Sequence, residues 1–275
     1  MNVRDFSPVE QTAFLTVYAR ALDNRRARPI LGDTMAEEVI GKIDYDFAGM
    51  GVTSGVICPT ALRAKMLDER VRRFVVAHPN AVVVDLGAGL DSGVFRVDPP
   101  STVDWYSVDL PRVIALRDDL LPARNHTHSV AASVAKPGWS DEIPANRPTF
   151  LVADGLLAFL SEPVIIGLFR SITEHFEAGE VAFNDYGRIG PVSRLAMKVA
   201  PQKMFSTLSL QWGYAGFTDP RHPETWNPLM ELVEESTLAR EPEVGLFPTW
   251  LRISSRISAH IPAMARRYRI LRYEF

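Results

Sequence analysis

The chain has 275 residues, 47% of them hydrophobic and 23% charged, an ordinary balance for a folded globular protein and one that excludes a disordered or low-complexity chain. Thirty basic residues against 33 acidic ones leave a net charge of −3, and the pairs Arg25–Arg26, Arg72–Arg73 and Arg266–Arg267 are too short to track a phosphate backbone, so no nucleic-acid partner is expected. The single Cys58 excludes an internal disulfide and a multi-cysteine metal site. No run approaches 18 apolar residues and Met1–Asp5 lacks an apolar signal core, so the expectation is a cytoplasmic protein with no membrane partner.

The first eighty residues read as helices. From Pro8 to Leu22, Val9, Ala13, Phe14, Val17, Tyr18 and Ala21 recur at a 3/4 spacing along one face. Asp33 is placed to cap a second helix through Lys42, with Glu37 and Glu38 near its start. Cys58 and Pro59 read as a loop before a third helix, Thr60–Val76, with Leu62, Met66, Val71 and Val75 inward. At Asn80 the pattern changes. Ala81-Val82-Val83-Val84-Asp85-Leu86 is the continuous β-branched run of a strand covered on both faces. Val103–Val108, His128–Ala132, Thr149–Ala153 and Val181–Asn184 follow as strands, separated by helices at Arg112–Leu121 and Glu162–Phe176. Strands alternating with helices imply right-handed βαβ units and a mainly parallel sheet.

Residues 187–245 are rich in Pro and aromatic residues and show no clean strand period, so they read as a cap inserted over the carboxyl edge of the sheet. Arg269–Phe275 closes the chain with strand-like alternation. The expected organisation is one α/β domain: a helical part at 1–79, the sheet core at 80–186, the cap at 187–245 and C-terminal strands at 246–275.

The most informative segment is Val84-Asp85-Leu86-Gly87-Ala88-Gly89-Leu90-Asp91, where a buried strand runs into Gly-x-Gly. Glycine suits a sharp turn that lets a ligand approach the backbone, because it has no Cβ, and in open α/β sheets that crevice lies at the carboxyl ends of the strands. Asp109 follows Gly89 by twenty residues, at the end of the next strand, a spacing that sets a carboxylate beside a cofactor ribose; a simple cap on the helix beginning at Pro111 is the structural alternative. Position 92 is Ser rather than the Gly or Ala of the dinucleotide fingerprint. Asp85, just ahead of the turn, suits a cationic ligand such as the α-amino group of S-adenosylmethionine (SAM) better than a pyrophosphate. These two features favour SAM over a nicotinamide.

The chain resembles the leucine carboxyl methyltransferase superfamily, in particular its bacterial branch of tetracenomycin-type polyketide O-methyltransferases. The resemblance runs through Gln11-Thr12-Ala13, Tyr18-Ala19-Arg20-Ala21, Ile43-Asp44-Tyr45-Asp46-Phe47 and Ala61-Leu62-Arg63-Ala64. It continues in Leu86–Asp91, Trp105-Tyr106-Ser107-Val108-Asp109-Leu110-Pro111, Ala153-Asp154-Gly155-Leu156-Leu157 and the closing Arg269–Phe275. It implies a class I SAM-dependent methyltransferase, a Rossmann-like α/β fold with a mainly parallel seven-stranded sheet, N-terminal helices and a helical or loop cap insertion. It also implies SAM as donor and S-adenosylhomocysteine (SAH) as product. Carried over by position, Arg63 pairs with the donor carboxylate, Gly87, Ala88 and Gly89 floor the methionine moiety, and Asp109 with Leu110 holds the ribose. Ser133 and Val134 match the stretch near adenine, and Asp154, with Asp85, lies at the amino end. The family's Thr-Arg after the Asp of the glycine turn is Ser92-Gly93 here, which removes a charge near the donor, and the family's Glu is the shorter Asp154.

A sulfonium is already an activated methyl donor, so the protein's task is to hold an acceptor oxygen in line and exclude water, with a base needed only for a neutral hydroxyl. Candidate bases are Asp185, Tyr186 and His222; Tyr18, Arg20, Arg188 and Trp212 are candidates for the acceptor pocket, and packing or surface roles stand against each. Trp212, Tyr214, Phe217 and Trp226 suit either a mini-core or a lid over an aromatic acceptor. No metal-ligand spacing occurs. The expected activity is O-methylation of a phenol, hydroxyl or carboxylate on a small specialised metabolite. A peptide or protein carboxylate is the nearest alternative, a non-catalytic SAM-binding protein a second, and a nicotinamide oxidoreductase is disfavoured.

Overall fold

The computed structural model describes residues 6–187, 212–214, 216–261, 264, 266 and 268–275. The β-branched run after Asn80 becomes the central strand β1 (Val82–Leu86), buried at every position. It is flanked by β2 (Asp104–Asp109) and β4 (Thr149–Ala153) in parallel. With β3 (Thr127–Ala131), β5 (Gly179–Asp185), β6 (Glu231–Thr237) and β7 (Arg269–Glu274) the seven-stranded order is β3-β2-β1-β4-β5-β7-β6, and β7 is antiparallel to both its neighbours. The chain leaves β1 toward β2 on one side and returns as β4 on the other, so the carboxyl end of β1 lies at a switch point where the strand ends part to leave a crevice.

Strand alternation divides the core. Val82, Val84 and Leu86 face a layer with Leu151, Phe183 and the α6 (Glu162–His175) residues Leu168 and Phe169. Val83 faces the opposite layer, where Leu62, Met66 and Phe74 of α3 (Ser54–Ala77) pack with Trp105 and Phe150. A third cluster joins α1 (Thr12–Asn24) and α2 (Thr34–Gly41) through Phe14, Val17 and Val39, and reaches Leu90 in the glycine turn. The N-terminal helices thereby close one side of the crevice. Asp33 caps α2 as its position predicts, accepting from the Ala36 N–H at 3.0 Å. Among the described residues the other α-helices are α4 (Gly93–Val97), α5 (Pro111–Leu120), α7 (His222–Trp226) and α8 (Thr249–His260).

Three elements depart from the sequence reading. Helix α3 begins at Ser54 and runs through Pro59, so Cys58 is a buried helical residue and not part of a loop. Proline there lacks only the one N–H that would reach the Gly55 carbonyl, and burial of Cys58, Ala61 and Leu62 outweighs it. Within the segment read as a cap, Glu231–Thr237 is a strand of the sheet. It pairs with β7 alone, and Glu234 and Glu235 serve Arg272 and Arg269, so charge at a sheet edge hides the period. The C-terminal segment expected as strands holds α8 before β7. Among the described residues no helix is long and apolar enough to cross a membrane.

Candidate active site

The glycine turn at the end of β1 is held by its backbone. Gly87 and Gly89 have φ of +67° and +50°, the left-handed region that favours glycine, and a Cβ on Gly87 would lie 3.0 Å from Leu156 Cδ1. The Gly87 and Ala88 N–H groups both donate to the Val108 carbonyl, at 2.8 and 3.2 Å, tying the turn to β2. At the end of β2, Asp109 Oδ2 accepts from the Gly89 N–H at 2.7 Å and Oδ1 from the Leu110 N–H at 2.6 Å. Burial raises the pKa of Asp109 while these two donors favour its ionised form. Each oxygen keeps acceptor capacity for a ligand hydroxyl. Gly87→Val, which adds a β-branched side chain at positive φ, is expected to weaken SAH binding by at least about tenfold and to lower stability by about 1–3 kcal/mol, read by calorimetry and urea unfolding.

Beneath the turn lies a buried ion-pair network. Asp91 accepts from Arg20 Nη1 at 2.9 Å and Arg96 Nη1 at 2.6 Å. Arg96 also reaches Asp68 and Asp33, and Arg117 donates to the Gly89 and Asp91 carbonyls. Burial penalises the Asp91 carboxylate, but Arg20 and Arg96 hold its pKa below the usual range. The Ser92-Gly93 departure lies within this network: Ser92 Oγ donates to Asp33 at 2.6 Å, a Cβ on Gly93 would meet the Trp105 ring at 3.4 Å, and Arg20 on α1 and Arg96 on α4 pair with Asp91 beside it.

Asp85 borders the crevice with its carboxylate buried. Burial, then the neighbouring Asp91 carboxylate, pushes its pKa up to about 8 against the pull of Arg117. Among the described residues none donates a hydrogen bond to its side chain, which leaves a buried acid facing a ligand space.

Opposite it, Arg63 on α3 forms an ion pair with Asp154, the residue after β4, and donates from Nη1 to the Tyr186 hydroxyl at 2.8 Å. Burial disfavours the Arg63 cation, but Asp154 and Tyr186 more than restore it, and its pKa stands above the ordinary value. Nε faces Asp154 Oδ1 as an ion pair without a hydrogen bond, one Nη2 hydrogen serves Asp154 Oδ2 and one Nη1 hydrogen serves Tyr186. Among the described residues one N–H on each terminal nitrogen is left over, the two donors a carboxylate takes. The shorter Asp154 therefore still reaches its cation.

These groups enclose one cavity of about 450 Å³. All ten residues expected at the donor border it: Arg63, Asp85, the Gly87-Ala88-Gly89 turn, Asp109 with Leu110, Ser133 with Val134 just after β3, and Asp154. Tyr186, Arg20 and Trp212 border it too. The chemistry of this set fits SAM: a two-donor cation for a carboxylate, a buried acid for an ammonium, a carboxylate with spare acceptors for a ribose, and a glycine floor that a side chain would fill.

Three expectations are corrected. Asp185 does not border the cavity: Arg269 Nε donates to its Oδ2 at 2.9 Å and the Phe217 N–H to its Oδ1 at 3.2 Å, so the carboxylate is committed to joining β5 to β7 and the cap. Burial raises its pKa and Arg269 opposes that. Asp185→Ala, which leaves the fully buried Arg269 short of one partner, is expected to cost about 3 kcal/mol in urea unfolding. His222 lies outside the cavity at the start of α7, with its ring 4.8 Å from that of Trp226. Tyr18 packs on Phe47, with centroids 5.2 Å apart, and also stays off the cavity. Arg20 does border it, but is spent on Asp91 and the Leu90 carbonyl. Arg188 lies outside the described residues.

Sequence reasoning missed Arg117, which props the turn, and Phe159, Leu160 and Tyr268, which add apolar wall. Arg117 carried a signal: with Val113 and Leu120 it shares the inward face of α5, where a buried cation needs a partner. Tyr268 carried none, because β7 approaches the crevice only through its antiparallel return.

A switch-point glycine turn, a carboxylate ending β2 and an antiparallel β7 define the class, the SAM-dependent methyltransferases. Solved members share the fold: a provisionally assigned methyltransferase of Thermobifida fusca YX (18% identity, 93% of each chain, TM-score 0.54), and the plantazolicin methyltransferase BpumL bound to a triazolic desmethyl analogue and SAH (10% identity, 96% of this chain and 98% of that one, TM-score 0.51). The chain belongs to the leucine carboxyl methyltransferase family, whose sequence profile matches residues 13–173. It is 36% identical, over 97% of each chain, to the tetracenomycin polyketide synthesis O-methyltransferase TcmP of Streptomyces glaucescens. It is 27% identical, over 80% of this chain and 78% of the other, to the SAM-dependent methyltransferase dpfgK of Gibberella zeae. The protein is a SAM-dependent methyltransferase.

Proposed function

We propose that the protein methylates an oxygen, phenolic, hydroxyl or carboxylate, of a small and largely aromatic specialised metabolite. The observation that carries this reading is the aromatic wall continuous with the donor residues: Tyr186 is bonded to Arg63 and stacked on Trp212, with centroids 5.0 Å apart, and both rings border the cavity with Tyr268. Such a wall takes a flat apolar acceptor by stacking.

In this reading Arg63 holds the donor carboxylate, Asp85 and Asp154 offset its ammonium, the glycine turn floors its chain and Asp109 holds its ribose, with Ser133 and Val134 beside the base. Bound there, SAM supplies a methyl group activated by the sulfonium. The protein orients the acceptor and excludes water, which replaces a bimolecular encounter by an oriented one. Of the three candidate bases only Tyr186 borders the cavity, and among the described residues its O–H has no acceptor, so it can orient an acceptor oxygen while its oxygen accepts from Arg63. A carboxylate or an ionised phenol needs no further base.

The test begins with calorimetric titration by SAM, SAH and, as control, NADH. Methyl-labelled SAM is then offered with a panel of hydroxylated aromatic acids and, separately, peptides ending in a free carboxylate. Label on the aromatic panel supports the reading, and its lability to mild base separates ester from ether. Label on peptides alone replaces it with a peptide or protein carboxyl methyltransferase. SAH binding with no transfer to either class makes the protein a SAM binder without catalysis.

A further inference from the structure

We propose that Tyr186 is a positioning residue that couples the two halves of the cleft, fixing the donor-side guanidinium of Arg63 through its hydroxyl while its ring belongs to the acceptor wall. The inference rests on the reading above that Arg63 takes the donor carboxylate.

The geometry forms a closed circuit. Arg63 is ion-paired with Asp154. The next residue, Gly155, donates its N–H to the Asn184 side-chain carbonyl, and two residues beyond Asn184 the Tyr186 hydroxyl accepts from Arg63. Gly155 has φ +79°, and a Cβ there would stand 3.8 Å from Arg63 Nη2 and 3.9 Å from the Tyr186 oxygen, so the Arg–Tyr bond passes directly over this peptide. Between Asn184 and Tyr186, the buried Asp185 is pinned by Arg269 and the Phe217 N–H. The strand end that carries Tyr186 is therefore fixed from behind, and the hydroxyl is a rigid second anchor for the guanidinium.

The ring side is equally committed. Tyr186 stacks on Trp212 at 5.0 Å and 20° and meets Tyr268 edge-on at 5.5 Å and 89°, while the Arg63 guanidinium carbon lies 5.7 Å from its centroid. One side chain thus touches the cation that meets the donor and the rings that meet the acceptor. Without the hydroxyl, Arg63 keeps Asp154 but gains freedom about that pair, and ordering it again opposes binding. By linkage, whatever tightens Arg63 on a donor also settles the aromatic wall, and the reverse.

The experiment uses the full chain and SAH as probe. Y186F, which keeps the ring and removes the hydroxyl, is expected to bind SAH about tenfold more weakly in calorimetry. In wild type, SAH is expected to change a tryptophan emission component that W212F lacks, and Y186F is expected to lose that component's response. Y186H, a flat ring with a polar acceptor, is expected to recover part of the affinity. Y186F with wild-type affinity and an intact Trp212 response overturns the proposal. So does a wild-type titration in which W212F removes no SAH-dependent signal, a result that does not depend on Y186F folding. R63A separates the two claims: wild-type SAH affinity in R63A sinks the assignment of Arg63 itself, whereas loss in R63A with no change in Y186F sinks only the coupling.

Discussion

Arg63→Ala is expected to weaken SAH binding by about a hundredfold or more, the largest loss of any single change in the cleft. Two charge-assisted hydrogen bonds from one planar cation to a carboxylate contribute together about 3 kcal/mol, and each 1.4 kcal/mol is a factor of ten. The variant also leaves the half-buried Asp154 carboxylate without its partner and facing the donor carboxylate, so repulsion adds to the loss. Arg63→Lys is expected to recover little, because an ammonium cannot serve Asp154, Tyr186 and a ligand carboxylate with fixed planar donors. Calorimetry with SAH measures both. Asp109→Ala is the companion: it should weaken binding through the ribose end and leave the Trp212 emission response to saturating SAH in place.

Asp85→Asn is expected to strengthen the ligand-free protein while it weakens donor binding. The Asp85 pKa of about 8 lies above the ordinary carboxylate value, so the native state keeps a proton that the unfolded chain releases from about pH 4 upward. Where the native state binds more protons, stability falls as pH rises, so this residue costs stability progressively between about pH 4 and pH 8, on the order of a few kcal/mol by the upper end. The amide of the variant does not titrate and removes that slope, so thermal midpoints of the two proteins should diverge toward pH 8, with the variant higher. Binding follows the opposite sense. A cationic donor needs the ionised carboxylate, so below pH 8 only a fraction of wild-type molecules is competent and affinity falls by up to about tenfold per pH unit. SAM titrations from pH 6 to 8.5 should show affinity rising and levelling near 8, with a proton released on binding at pH 7, and neither in the variant.

Much of the donor half was legible in the sequence because its chemistry is local. Gly87-Ala88-Gly89 follows a continuous apolar strand, Asp85 precedes it and Asp109 ends the next strand, so short-range grammar locates three groups that border the cavity within 25 residues. Arg63 and Asp154 were found by resemblance, and they meet because α3 packs on the sheet beside the end of β4. The acceptor half was harder to read. Asp185 ends β5 and Tyr186 follows it, yet one side chain meets Arg269 and the other the cavity, and no pattern in one sequence says which way that edge faces. His222 and Tyr18 have reactive or polar side chains, but His222 meets Trp226 within α7, Tyr18 packs on Phe47 from outside α1, and neither borders the cleft.

The sequence by itself determined the sheet's central strands, the glycine turn and the kind of ligand the turn admits. Strand burial on both faces, left-handed turns and an acid beside a small-molecule cation each leave a signature within a few residues. Only the tertiary structure decided that Arg20 and Arg96 pair with Asp91 beneath the turn, that Asp185 binds Arg269 of β7, and that Tyr186 joins Arg63 to the aromatic wall. Each of those contacts joins residues five to 123 positions apart, and all but Arg96–Asp91 bridge separate elements, so they arise when α1, α3, β5 and β7 are packed around one crevice. Burial then makes them decisive, since a charge withdrawn from water must find its partner wherever the fold brings one.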